Sequence, residues 1–182
     1  MQNAIGLIEL TSIAKGYEVA DALLKTAQVQ MVFNRTICPG KFMVMVAGET
    51  AAVTSSLEMG MEIGGETVVD NLLIPNVHPE VFPAISGTRV ITETGALGII
   101  ETFSVASIIE AADAAVKAAN VQLLQIHLAM AIGGKGYATL TGEVPAVTAA
   151  VEAGADFIRN KGLLVNKVVI PQPRPEVLED RI

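Results

Sequence analysis

Residues Ala4 to Val81 are written a second time from Ala96 to Val177, which restricts the chain to folds that one short unit can build twice. A shift of 92 positions superposes Gly6 on Gly98, Glu9 on Glu101, Ser12 on Ser104, Ala20-Asp21-Ala22 on Ala112-Asp113-Ala114 and Lys25 on Lys117. The shift grows to 94 at Gly40-Lys41 on Gly134-Lys135, and to 96 at Pro79-Glu80-Val81 on Pro175-Glu176-Val177, so two small insertions separate the copies. A period this long, present twice, describes tandem compact domains and not a solenoid. The boundaries follow as residues 1–85 for the first domain, 86–95 for a linker and 96–182 for the second. Places where the copies differ are where function is to be sought.

Hydrophobic patterning predicts the order βαββαβ in each copy. Ala4–Leu10 and Ala96–Glu101 read as strands. Ile13, Tyr17, Ala20, Leu24 and Ala27 recur at helical spacing, as do Val105, Ile109, Ala112, Val116 and Ala119, and form one apolar face capped by Ser12 or Ser104. Val29–Ile37 and Phe42–Val46 predict a strand pair, matched by Val121–Ala129 and Tyr137–Thr141. A second helix carries Val53, Leu57 and Met61, or Val147, Val151 and Ile158, with Pro145 in its first turn. Val69–Ile74 and Val165–Ile170 close each copy before Pro75 and Pro171, and Phe82–Gly95 reads as connection. The expected class is α+β, a ferredoxin-like sandwich of one sheet under two helices.

Composition narrows the partners. Half of the residues are apolar (51%) and mean hydropathy is +0.51, yet no stretch reaches the roughly 20 uninterrupted apolar residues of a membrane span. Large subunit interfaces are the expected home for that surface. Net charge is −7 with no Lys/Arg run, which argues against nucleic acid and against anionic membranes. The start lacks a basic region followed by a long apolar core, so no secretory signal is expected. One cysteine cannot form an intrachain disulfide and fits a reducing cytoplasm.

Several runs are more specific: Ala96-Leu97-Gly98-Ile99-Ile100-Glu101, Ala111-Ala112-Asp113-Ala114-Ala115-Val116-Lys117, Gly133-Gly134-Lys135-Gly136-Tyr137 and Val169-Ile170-Pro171-Gln172-Pro173-Arg174-Pro175. With their first-copy counterparts they resemble the bacterial microcompartment shell family in its tandem-domain form, over essentially the whole chain. The resemblance implies two BMC domains and a homotrimer shaped as a pseudohexamer. It also implies a tile of a cytoplasmic microcompartment shell, with other shell proteins and luminal redox enzymes as partners and no catalysis of its own. It makes the turn between the second and third strands of each copy pore-lining: Cys38, Pro39, Gly40 and Lys41 in the first, Gly133, Gly134 and Lys135 in the second.

The run Thr36-Ile37-Cys38-Pro39-Gly40-Lys41-Phe42 is similar to tandem shell components of propanediol-utilising compartments. That similarity implies one 4Fe–4S cluster per trimer, with one Cys38 from each chain as metal ligand, for electron transfer across the shell. Lys41 would offset the negative charge of gathered thiolates. By its residue type alone, a lone cysteine reads as a small buried hydrophobe, which is what most lone cysteines are. The resemblance places Lys25 and Lys117 at the tile edge, each beside a basic residue after the last strand, His78 in copy one and Arg174 in copy two. By composition alone these are solvated charges. His78 and His127 have no metal-ligand spacing, and Gly133-Gly134-Lys135-Gly136 lacks the spacing of a phosphate loop. Three other functions remain open: a tile with a metabolite pore and no cluster, a paired-domain sensor of a small molecule, and a thiol enzyme using Cys38 with His78 or His127.

Overall fold

The computed structural model describes residues 4–87 and 95–177. Copy one runs β1 (Ala4–Leu10), α1 (Ile13–Thr26), β2 (Gln30–Ile37), β3 (Lys41–Gly48), α2 (Thr50–Gly64) and β4 (Val68–Ile74). A short helix, α3 (Val81–Ser86), follows where the sequence reads as connection; most of the 86–95 linker lies outside the described residues. Copy two repeats the series as β5 (Ala96–Thr102), α4 (Val105–Ala118), β6 (Gln122–Leu128), β7 (Gly136–Gly142), α5 (Val144–Arg159) and β8 (Leu164–Ile170).

Each copy builds one four-stranded antiparallel sheet, in the order β2-β3-β1-β4 or β6-β7-β5-β8. The duplication extends to irregularities. The β1–β4 register slips between Glu9 and Leu10, and the β5–β8 register slips between Glu101 and Thr102. Compact contacts divide the chain differently from the repeat. One unit gathers the chain through Val77 with Ser104–Ser107 and Leu128–Lys135, and the other gathers His78–Phe103, Ile108–His127 and the chain from Gly136 on.

Helix α1 departs from the sequence reading. Ile13, Tyr17 and Leu24 predict its core face, yet they are exposed; the buried residues are Gly16, Val19, Ala20 and Leu23. In α4 both stripes are buried: Val105, Ile109, Ala112 and Val116, and also Ile108, Ala111 and Ala115. Two apolar stripes run along each helix, and periodicity alone does not say which one meets the sheet. Met61 of α2 is exposed too, while Val53 and Leu57 are buried.

Core packing reveals an exchange of volume between the copies. Gly16 lies against Phe42, where an added Cβ would stand 2.2 Å from the ring. The repeat matches Gly16 with Ile108 and Phe42 with Gly136, and a Cβ on Gly136 would stand 2.5 Å from Ile108. Copy one puts the bulk on the strand and copy two puts it on the helix. Close packing tolerates a swap that keeps total volume far better than a change on one side. Phe42→Ala should therefore cost about 3–5 kcal/mol, and Gly16→Ile alone about 1–3 kcal/mol through overpacking. The double variant G16I/F42G, which writes copy two's pair into copy one, should be more stable than F42G alone in urea denaturation.

Candidate functional site

The candidate site grows from the turn between β2 and β3. Ile37 ends β2 in the core, and the chain leaves the sheet at Cys38 before Lys41 opens β3. The Cys38–Pro39 peptide is cis, and Gly40 takes φ +76, a conformation that glycine adopts without a Cβ penalty. Cys38 is a free thiol, half-buried, and followed by the exposed Pro39 and Gly40.

A second segment of the same compact unit, Leu128–Lys135, holds this turn. The Cys38 N–H donates to the Ala129 carbonyl at 3.2 Å, and the Ala129 N–H donates to the Lys135 carbonyl at 3.1 Å. A Cβ on Gly134 would lie 2.7 Å from Pro39 Cδ and 2.8 Å from the Cys38 carbonyl oxygen, and Gly134 has φ +85. Only glycine fits there, by space and by backbone. Gly133 has φ +67, and Ala129 and Ala131 are left-handed at φ 55 and 61, an unfavourable state for residues that carry a Cβ. Such conformations persist where the surroundings over-determine them. Of the turn residues named from sequence, the structure brings Gly134 against Cys38 and Pro39; Gly40 and Gly133 flank them along the chain, and Lys135 ends the segment.

Lys41 has another employment. Its ammonium bonds the carboxylate of Glu9, which is wholly buried in β1, and Lys41 itself is 17% exposed. The other oxygen of Glu9 accepts the Val105 N–H at 3.1 Å, at the start of α4. Beside it, Asp70 accepts hydrogen bonds from the hydroxyls of Ser104 and Ser107. A buried carboxylate is stable only when its lone pairs are filled, and here a cation and a helix N-terminus fill them. The positive charge of Lys41 therefore compensates Glu9 rather than a gathered set of thiolates. The sequence reading missed Glu9 and Asp70, although an acid repeated inside two otherwise apolar strands (Glu9, Glu101) was a visible signal.

The edge residues fall into two different settings. Lys25 closes α1 and bonds Asp21 at 2.5 Å, with both side chains largely in solvent. Lys117 closes α4 and bonds Asp113 at 2.5 Å, but Asp113 is only 8% exposed. The other oxygen of Asp113 accepts the His78 N–H at 2.7 Å, and His78 Nδ1 accepts the Glu80 N–H at 3.3 Å. Asp113 thus joins His78 to Lys117, a bridge that spacing did not reveal. Arg174 pairs with Glu176 at 3.3 Å and is exposed. His127 stacks on Tyr137 with ring centroids 5.1 Å apart. Among the described residues no three of His, Cys, Asp and Glu gather as metal ligands.

Gly134→Ala should strain this arrangement in two ways at once. Expected outcomes are a loss of about 1–3 kcal/mol in thermal unfolding and faster labelling of Cys38 by a thiol reagent, because the turn must move off the segment that holds it. Unchanged labelling kinetics would mean that the Leu128–Lys135 segment does not position the thiol.

Comparison with known proteins bears on the family and the fold. The BMC domain family matches residues 4–77 and again 96–173. The chain is 49% identical over 173 residues to the bacterial microcompartment shell protein PduT of Citrobacter freundii, covering 95% of this chain and 94% of that one. It is 43% identical over 84 residues to the shell protein EutM of Escherichia coli K12, covering 46% of this chain and 84% of that one. Among solved structures, a microcompartment protein of Desulfitobacterium hafniense superposes with a TM-score of 0.88 at 47% identity, covering 98% of this chain and 99% of that one.

Proposed function

Because the chain belongs to the BMC-domain family and is a structural shell protein of a bacterial microcompartment, we propose that three copies close into a pseudohexameric tile that gathers three Cys38 thiols. One observation carries the reading. The helix face formed by Ile13, Tyr17 and Leu24 is 41, 60 and 47% exposed, while the matching Val105, Ile109 and Val116 are 0, 0 and 7% exposed. The same surface is thus satisfied in copy two and open in copy one. A heterologous contact of that kind adds chains head to tail and closes into a ring when the rotation permits. Two alternating domains per chain make three chains the number that closes a six-domain ring.

Each ring then carries three Cys38 thiols and no other cysteine. The donor set fits a 4Fe–4S cluster, which thiolates bind and which needs one ligand per iron. Cys38 from three chains would hold three irons and leave the fourth to an external ligand; the group would supply one-electron transfer between the two sides of the shell. The chain's own contribution is to aim the thiol. Cys38 is tied through its N–H to Ala129, and the Gly133–Gly134 turn backs it. Lys41, held by Glu9, stabilises the base of the turn. The neighbours that such a tile would meet are other shell tiles, in a compartment within the cytoplasm.

Light scattering should give three times 19.0 kDa, about 57 kDa. Anaerobically reconstituted protein should be brown, with about four irons per trimer and a paramagnetic signal on reduction. Cys38→Ser should lose colour and iron while keeping the trimer. A colourless trimer after reconstitution would leave a tile with a metabolite pore and no cluster.

The two edges call for different variants. Lys25→Asp changes an exposed pair and should leave folding within about 0.5 kcal/mol, while abolishing the ordered sheets that the wild type is expected to form, with electron microscopy as the check. Lys117→Asp removes the cation from the buried Asp113 and should itself destabilise the fold. Intact sheets from Lys25→Asp would assign Lys25 to solvent.

A further inference from the structure

The segment that follows each copy's last strand is also duplicated, and only one of the two has found a receptor. In copy one this segment is His78-Pro79-Glu80-Val81. Its His78 N–H donates to Asp113 on α4 at 2.7 Å, its Glu80 carboxylate accepts the N–H of Leu123 on β6 at 2.9 Å, and Val81 is fully buried. Acid, amide and apolar anchor together make a three-point clamp on one helix and one edge strand.

The copy-two segment is Arg174-Pro175-Glu176-Val177, identical at the last three positions. It is already in the same turn: the Val177 N–H donates to the Arg174 carbonyl at 3.0 Å, as the Val81 N–H donates to the His78 carbonyl at 3.0 Å. Yet Val177 is 60% exposed. Hydrogen bonds from its own amide and from Arg174 hold the Glu176 carboxyl below the usual carboxylate range, so it is an ionised acceptor. The matching receptor is present in copy one. Asp113 corresponds to Asp21, which carries the same lysine one turn later, and Leu123 corresponds to Met31 on edge strand β2.

We infer that Arg174–Val177 of one chain clamps α1 and β2 of the next copy of this chain, repeating between chains the contact that His78–Val81 makes within one. The Arg174 N–H meets Asp21, Glu176 accepts the Met31 N–H, and Val177 buries beside α1. Replacing His78 by Arg174 does not disturb the pattern, because the backbone N–H makes the bond; the guanidinium adds an attraction to Asp21. A second duplicated contact points to the same partner. Glu9 and Asp70 receive the first turn of α4, and their counterparts Glu101 and Asn166 line a recess of about 140 Å³ with Ile99, Lys167 and Val168. That recess suits the first turn of the next chain's α1. A preformed turn loses little entropy on docking.

The inference rests on the ring assembly proposed above, and the test separates the two. Wild type, Glu176→Ala and Val177→Asp would be compared by light scattering over a dilution series and by hydrogen exchange of the peptides containing Met31 and Leu123. Expected is a trimeric wild type in which Glu176→Ala speeds exchange at Met31 roughly tenfold or more, as loss of a charge-assisted hydrogen bond requires, with Leu123 unchanged. Val177→Asp should raise the concentration at which the trimer dissociates by roughly tenfold or more, through burial of a charge. A trimeric wild type with both variants unaltered would overturn the clamp and leave the ring standing. A monomeric wild type would overturn both.

Discussion

A polypeptide that carries the same contact surface twice can satisfy only one of the two from within. The rest of this structure follows from that constraint. The α4 surface is complete: Glu9 and Asp70 fill its first turn, and His78–Val81 seals its flank through Asp113 and Leu123. The α1 surface has the same residue pattern and is open, with Ile13, Tyr17 and Leu24 exposed. Mean hydropathy is high, and among the described residues no helix is long and apolar enough to cross a membrane.

The same asymmetry gives the thiol its setting. Copy one contributes Cys38, cis-Pro39 and Gly40, and copy two contributes the Leu128–Lys135 segment with its left-handed Ala129, Ala131, Gly133 and Gly134. A Cβ at Gly134 would strike the Cys38 carbonyl, so thiol position and turn conformation are one problem in packing. Charge is handled separately. Glu9 is buried because Lys41 and the α4 N-terminus neutralise it, and Lys41 is thereby fixed as part of the scaffold. The redox reading depends on the thiols being gathered by assembly, and it draws nothing from free cations nearby.

Divergence after duplication is visible in the core as well as at the site. Gly16 against Phe42 and Ile108 against Gly136 fill the same space with bulk on opposite partners. Compensation of this sort fills the helix–sheet contact in both copies while moving the bulk from one partner to the other. It also shows why comparing a single aligned position between the copies misleads: glycine opposite isoleucine looks like a lost core residue until its partner is included.

The sequence alone determined the repeat, the βαββαβ order, nearly every strand to within two residues, and the family, because these depend on local periodicity and on short runs that recur intact. It also isolated Cys38, since one thiol in a duplicated chain stands out without any coordinates. Tertiary structure decided which stripe of α1 faces the sheet: Gly16, Val19, Ala20 and Leu23 are buried, and Ile13, Tyr17 and Leu24 are not. It assigned Lys41 to Glu9, joined His78 to Lys117 through Asp113, and added α3 where the chain reads as connection. The physical reason is common to all four. Period and propensity describe what a segment can present, whereas burial of a charge or of one of two apolar stripes is fixed by what lies opposite, and those partners are distant in sequence, as Glu9 and Val105 are.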